Sequence, residues 1–157
     1  MRVVALPLVL AAALATPAAA QADMLVGLAS ANGLKGVNLE KTGRLGSVYM
    51  LLGTYQSNTG FNVENMTGML GVRRFQDGKF DQSGYFGGAF AGDIDGGPEF
   101  TRYGAGGEIG YQWVTAHLRM TMQAGMALVD ESSRGPEPGG TSIEPLPVLG
   151  LSVSLRF

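Results

Sequence analysis

There is no cysteine in the chain, so disulfides, lipid attachment through an N-terminal cysteine, thiol catalysis and cysteine-ligated metal sites are all excluded. Histidine occurs once, as His117, and any His-dependent triad or metal centre would have to be built around it. Charge is scarce: Asp, Glu, Lys and Arg make up 15% of the residues, where a soluble domain carries about 25%. The net charge of −2 gives no basic footprint for nucleic acid, and no run of like charges marks an acidic or basic tail. After the N-terminal stretch, no apolar run approaches the ~18 residues of a membrane helix.

Glycine is abundant instead, at 25 of 157 residues, more than twice the usual share of roughly 7%. No G-x-y period accompanies it, and the glycines fall inside alternating apolar segments, where bulges and close curvature of a sheet use them. With 45% hydrophobic residues and so little charge, water is not expected to be the only solvent.

The N-terminus carries Arg2, an apolar run from Val3 to Leu14, and small residues. Ala18-Ala19-Ala20 and Ala20-Gln21-Ala22 both fit the A-x-A cleavage pattern. This predicts a signal peptide over residues 1–20, cut after Ala20 or Ala22, with one domain over residues 21–157. A retained membrane helix would need a longer apolar core and a Lys/Arg flank.

Segments of roughly ten residues follow, near the ~9–11 of a tilted membrane strand, and turn chemistry separates them. They are Asp23–Ala31, Leu34–Lys41, Leu45–Tyr55, Asn65–Phe75, Gly84–Ile94, Phe100–Trp113, Ala116–Asp130 and Leu146–Phe157. Asn32-Gly33 between the first two is a hairpin signal. The fold expected is all-β, an eight-stranded antiparallel up-and-down transmembrane barrel. Both termini would share the side of the short turns, and the long Glu131–Pro145 loop would lie on the other side.

Register is clearest in the last three segments. In the sixth, Tyr103, Ala105, Gly107, Ile109, Tyr111 and Trp113 alternate with Arg102, Glu108 and Gln112; in the seventh, Met120, Met122 and Met126 alternate with His117, Arg119, Thr121 and Gln123. In the eighth, Leu149, Leu151, Val153, Leu155 and Phe157 alternate with Gly150, Ser152, Ser154 and Arg156. Two faces with two solvents follow from this period. The apolar set would face lipid, and an interior polar network of Glu108, Gln112, His117, Arg119, Gln123 and Arg156 would fill the bore, with Glu40 and Arg73 as further inward candidates. A turn at Val114-Thr115 would set Gln112 opposite His117 and bring Glu108 diagonal to Arg119. Such an interior argues against an apolar ligand cavity of lipocalin type. Phe75, Phe80, Tyr85, Tyr111, Trp113 and Phe157 at one end, with Tyr55, Phe61, Phe100 and Tyr103 at the other, would form two aromatic girdles.

Chemistry-bearing motifs are weak. Gly104-Ala105-Gly106-Gly107 lacks the Lys-Ser/Thr of a phosphate loop and lies within a strand pattern. Asp93–Glu99 is acidic but lacks the spacing and terminal Glu of an EF-hand. The methionines 120, 122 and 126 read as apolar filling. No catalytic, cofactor-binding or metal residue is assigned, no cofactor is expected, and the chain reads as non-enzymatic.

The run Gly107–Trp113 and the closing Pro145–Phe157 resemble small bacterial outer-membrane β-barrel families, broadly similar in plan to the OmpA/OmpX type. The resemblance implies that Leu151, Val153, Leu155 and Phe157 form the assembly signal read by the barrel assembly machinery. It also implies contact with outer-membrane lipid and lipopolysaccharide, a monomer, no nucleic-acid partner, and a structural or surface-interaction role through external loops. Two alternatives belong to other classes. One is an outer-leaflet lipid-modifying enzyme similar to lipid A deacylases, although that type uses His-x-Ser and this chain has His117-Leu118-Arg119. The other is a soluble periplasmic β-cup binding an apolar ligand.

Overall fold

A computed structural model describes residues 24–43, 46–55, 66–96, 101–130 and 143–156. The expected signal peptide, Phe61, Phe100, Phe157 and most of the 131–145 loop lie outside the described residues. Eight strands, β1 (Met24–Ala31), β2 (Leu34–Gly43), β3 (Gly46–Tyr55), β4 (Thr67–Phe75), β5 (Gly84–Asp93), β6 (Tyr103–Val114), β7 (Leu118–Asp130) and β8 (Ile143–Arg156), pair in chain order. β1 also pairs with β8, closing an antiparallel barrel. Closure gives every strand a neighbour on both sides, so most of the backbone groups that an open sheet would leave at its edges are paired.

The β1–β2 turn is the tight hairpin expected. Asn32 (φ 45°) and Gly33 (φ 88°) both take left-handed backbone, the conformation of a type I′ turn. Asn32 also seals the barrel seam. Its amide nitrogen Nδ2 donates to the Pro147 carbonyl at 2.8 Å, and its Oδ1 accepts from the Leu149 N–H at 2.9 Å. These bonds take over where the β1–β8 ladder stops, at Ala31 opposite Gly150. β8 itself starts at Ile143 rather than Leu146, so Pro145 and Pro147 lie within a strand. They are tolerated because that stretch of β8 has a strand partner on one side, β7, and none from β1 on the other, the edge-like setting in which a missing N–H does no harm.

The β6–β7 register differs from the expected one. Gln112 lies opposite Thr121, Gly110 opposite Gln123 and Glu108 opposite Gly125. Thr115, Ala116 and His117 are taken up by the turn, where the Thr115 hydroxyl accepts from the Leu118 N–H at 3.1 Å and the Thr115 N–H donates to the Leu118 carbonyl at 2.8 Å. A threonine closing a turn on its own backbone competes with strand continuation. The slip moves Gln112's partner from residue 117 to residue 121, an even number of positions, so every side chain keeps its face.

Outward positions between the strand ends are mostly apolar, whereas the bore has two layers. Toward the chain termini it holds the charged and polar groups along with Leu25, Phe75 and Phe86; toward the other end it holds Leu34, Leu51, Tyr55, Met69, Phe90 and Val129, all buried. The expected hydrophilic filling thus occupies only part of the interior. The girdles change as well. Phe75 and Tyr55 are inside, Phe75 stacked edge-on to Phe86 at 6.1 Å and Tyr55 donating its hydroxyl to the Asp93 carbonyl at 3.1 Å. Tyr85, Tyr111 and Trp113 do lie outside near the termini, as an edge-to-face row with 4.9 Å between successive rings. Tyr103 is exposed near the opposite end.

Two interior glycines let aromatic rings lie flat across a neighbouring strand. Tyr49 covers its cross-strand partner Gly71, and Phe86 covers Gly110. A Cβ on Gly71 would stand 2.3 Å from the Tyr49 ring, and one on Gly110 2.4 Å from the Phe86 ring. Gly71→Ala should therefore lower the urea unfolding midpoint by the equivalent of about 1–3 kcal/mol, the usual cost of overfilling a packed interior. Gly87→Ala, at an outward position whose nearest neighbour to a new Cβ is 3.8 Å away, should leave the midpoint unchanged.

A buried charge layer in the barrel bore

Arg73 on β4 is the centre of the polar layer. Its Nε donates to Glu108 Oε1 at 2.9 Å, Nη1 donates to Glu40 Oε2 at 3.4 Å, and Nη2 donates to Gln123 Oε1. The guanidinium carbon lies 3.9 Å from the Tyr49 ring centre and 4.8 Å from that of Phe86, so two rings offer π-electrons to the cation. Tyr49 Oη donates to the other Glu108 oxygen at 3.1 Å. Arg119 stands 3.2 Å from the second Glu40 oxygen and 4.9 Å from the Phe75 ring centre. Two carboxylates thus meet two guanidiniums, all four side chains with at most 3% of their area exposed.

The sheet register explains why these groups meet. Arg73, Gly88 and Glu108 lie side by side across β4, β5 and β6. With no side chain at the middle position, Arg73 and Glu108 reach across an intervening strand; a Cβ on Gly88 would lie 3.0 Å from Glu108 Oε1 and 2.4 Å from the Val72 carbonyl. Across the seam, Asn38 donates to Ser154 Oγ at 3.3 Å, and beside it the Thr121 and Ser152 hydroxyls of β7 and β8 bond each other.

Of the residues expected in an interior network, Glu108, Gln112, Arg119 and Gln123 are buried, and Arg156 is half-buried at the end of β8. His117 is not among them. It is exposed in the β6–β7 turn, because the turn consumes the residues that would have continued the strand inward. Gln112 consequently bonds elsewhere, donating to the Phe80 and Gln82 carbonyls at 3.3 and 2.6 Å and holding the β4–β5 connection under the barrel. Glu108 and Arg119 are not paired with each other; the register slip hands Glu108 to Arg73 and Arg119 to Glu40. Tyr49 and Asn38 belong to the layer and were missed; inward glycines at Gly71 and Gly88 are the sequence signal that long side chains on neighbouring strands cross there. Leu151, Val153 and Leu155 are exposed on the outer face of β8.

At the end away from the termini a second cluster ties connections together. Arg102 is buried, its backbone N–H donating to Asp93 Oδ1 at 3.0 Å while Nη1 and Nη2 reach Asp95 at 2.8 Å and Glu144 at 2.9 Å. The acidic stretch beginning at Asp93 therefore engages an arginine, and among the described residues no group of three or more His, Asp or Glu side chains is placed to hold a metal ion.

A charge layer at one level and a packed apolar layer at the next occupy much of the bore. Two cavities flank the charge layer, each of about 10 Å³, room for about one water apiece. Side-chain filling of this kind is the usual state of an eight-stranded barrel. No protein family, curated protein or solved structure matches the chain.

Replacing Arg73 would leave buried Glu108 with only the Tyr49 hydroxyl and no cation, and Glu40 with Arg119 alone, so Arg73→Met should cost about 3–5 kcal/mol in urea unfolding. Glu108→Gln, which still offers an oxygen to Arg73 Nε, should cost clearly less. Equal midpoints for Arg73→Met and parent would contradict the role given to this layer.

Proposed function

We propose that the chain is an integral bacterial outer-membrane β-barrel with a non-enzymatic role in envelope structure or surface interaction, delivered by a cleaved signal peptide over residues 1–20. The observation that carries this reading is the coat of the barrel. Large apolar side chains stand exposed on all eight strands, among them Leu28 at 70%, Ile109 at 72%, Leu149 at 68% and Leu151 at 60%. A soluble monomer rarely exposes a contiguous apolar patch beyond a few hundred Å²; a coat that encircles the molecule is suited to hydrocarbon. Outward charges fall at strand ends, Lys41 and Arg74 toward the termini, Lys35 and Asp130 toward the other end. Strands of about ten residues tilted by ~40° give an apolar band of roughly 25 Å, the height of such a barrel's lipid-facing belt.

Lipid and lipopolysaccharide are then the immediate surroundings, the assembly machinery reads the closing strand, and the loops opposite the termini offer the contact surface. The side chains occupying much of the bore weigh against a soluble cup with an apolar ligand. His117, exposed on the same side as the strand ends Met24 and Arg156, weighs against a lipid-modifying site at the outer leaflet. Family relationship to OmpA/OmpX-type barrels stays within this proposal.

Fractionation followed by unboiled and boiled electrophoresis tests the reading. The protein should require detergent for extraction and should migrate differently before and after boiling. Recovery from the soluble periplasmic fraction without detergent would refute it.

A further inference from the structure

We propose that Pro145 and Pro147 keep an overhanging edge of the barrel from pairing with a strand of a second copy of the chain. β8 pairs with β7 from Ile143 to Leu155, but with β1 only from Gly150 to Arg156. Among the described residues, the stretch Ile143–Leu149 therefore has a strand on one side alone. Asn32 covers its lower part. Above Asn32 a sheet edge stands open, flanked on the outer face by Ile143 and Leu149, each 68% exposed. An open edge bordered by apolar side chains is a template for another strand.

The direction of the backbone groups decides what this edge can offer. In an antiparallel ladder the N–H and C=O of one residue point to the same neighbouring strand, and successive residues point to opposite neighbours. Leu149 points away from β7: its N–H donates to Asn32 Oδ1 at 2.9 Å, and its carbonyl accepts from the Asn32 N–H at 3.1 Å. By the same alternation Pro147 and Pro145 point away from β7, and the Pro147 carbonyl accepts from Asn32 Nδ2 at 2.8 Å. Both prolines thus hold positions whose N–H would have faced the open side. Proline has no N–H, and its ring fills the space where the hydrogen would be. Glu144, Leu146 and Val148 turn their backbone groups to β7 instead, so the prolines cost the β7–β8 ladder no bond. A strand approaching the edge over residues 145–147 finds the Pro145 carbonyl to donate to and no donor in return. A second copy would bring the same edge, so a two-fold contact would meet the block twice. The guard depends on strand pairing alone and would operate in a soluble barrel as in a membrane one.

The double variant Pro145→Thr/Pro147→Thr, purified and folded in detergent beside the parent, tests this. Threonine restores both N–H groups and favours strands. The parent should run as a monomer in unboiled electrophoresis and size-exclusion chromatography, and the double variant should shift to a dimer that boiling dissociates. Leu149→Thr, on the same edge, adds no new donor and should stay monomeric. With Ile143→Cys added to each background, oxidation should join copies of the double variant by a disulfide and leave the parent background single. Should the double variant fail to fold, Pro145→Thr alone, at an exposed position farther from Asn32, carries the same expectation. A folded variant that stays monomeric, or a parent that already dimerises through Ile143→Cys, would overturn the proposal.

Discussion

Everything in this molecule follows from closing the sheet. Once β1 pairs with β8, each backbone donor and acceptor in the ladder has its partner, and the period-2 alternation of a strand becomes an assignment of inside and outside. That assignment is what allows one short chain to carry an apolar coat and a bore holding four buried charged side chains at one level. The seam is secured at both ends of β1: by Leu25 opposite Arg156 near the termini and by the Asn32 side chain on Pro147 and Leu149 at the hairpin.

Inside, space rather than charge is the scarcer resource. An eight-stranded barrel is barely wide enough for its own side chains, so each large inward group needs a small neighbour. Tyr49 lies on Gly71, Phe86 on Gly110, and the Arg73–Glu108 pair passes over Gly88. The glycine excess is the counterpart of the arginines and aromatics of the bore. The charges are enclosed at a cost in desolvation, offset by mutual neutralisation and by ring faces.

Most of the architecture was legible in the sequence because alternation is a direct trace of the two faces. Strand number, order and the side taken by each residue of β6, β7 and β8 could be read without coordinates. What could not be read were properties of turns and of the cross-section. The Thr115–His117 turn shifted the β6–β7 register by an even step, which alternation cannot detect, and with it the partners of Glu108, Gln112 and Arg119 changed while their side did not. Phe75 and Tyr55 were expected in outer girdles because aromatics near strand ends favour interfaces, but their positions in the alternation put them inside. The apolar layer around Leu34, Leu51 and Phe90 was overlooked since β2, β3 and β5 alternate less cleanly than the last strands.

The central claim is that the two faces of each strand meet different solvents. Because no native cysteine competes, a nitroxide can be placed at single introduced cysteines along β7, and its collisions with oxygen and with a water-soluble nickel complex measured in lipid vesicles. The account predicts that labels at Met120→Cys, Met122→Cys and Met126→Cys are reached by oxygen and shielded from nickel, while those at Thr121→Cys and Gln123→Cys are sheltered from oxygen. An absence of alternation, or nickel access to the three methionine positions, would contradict it.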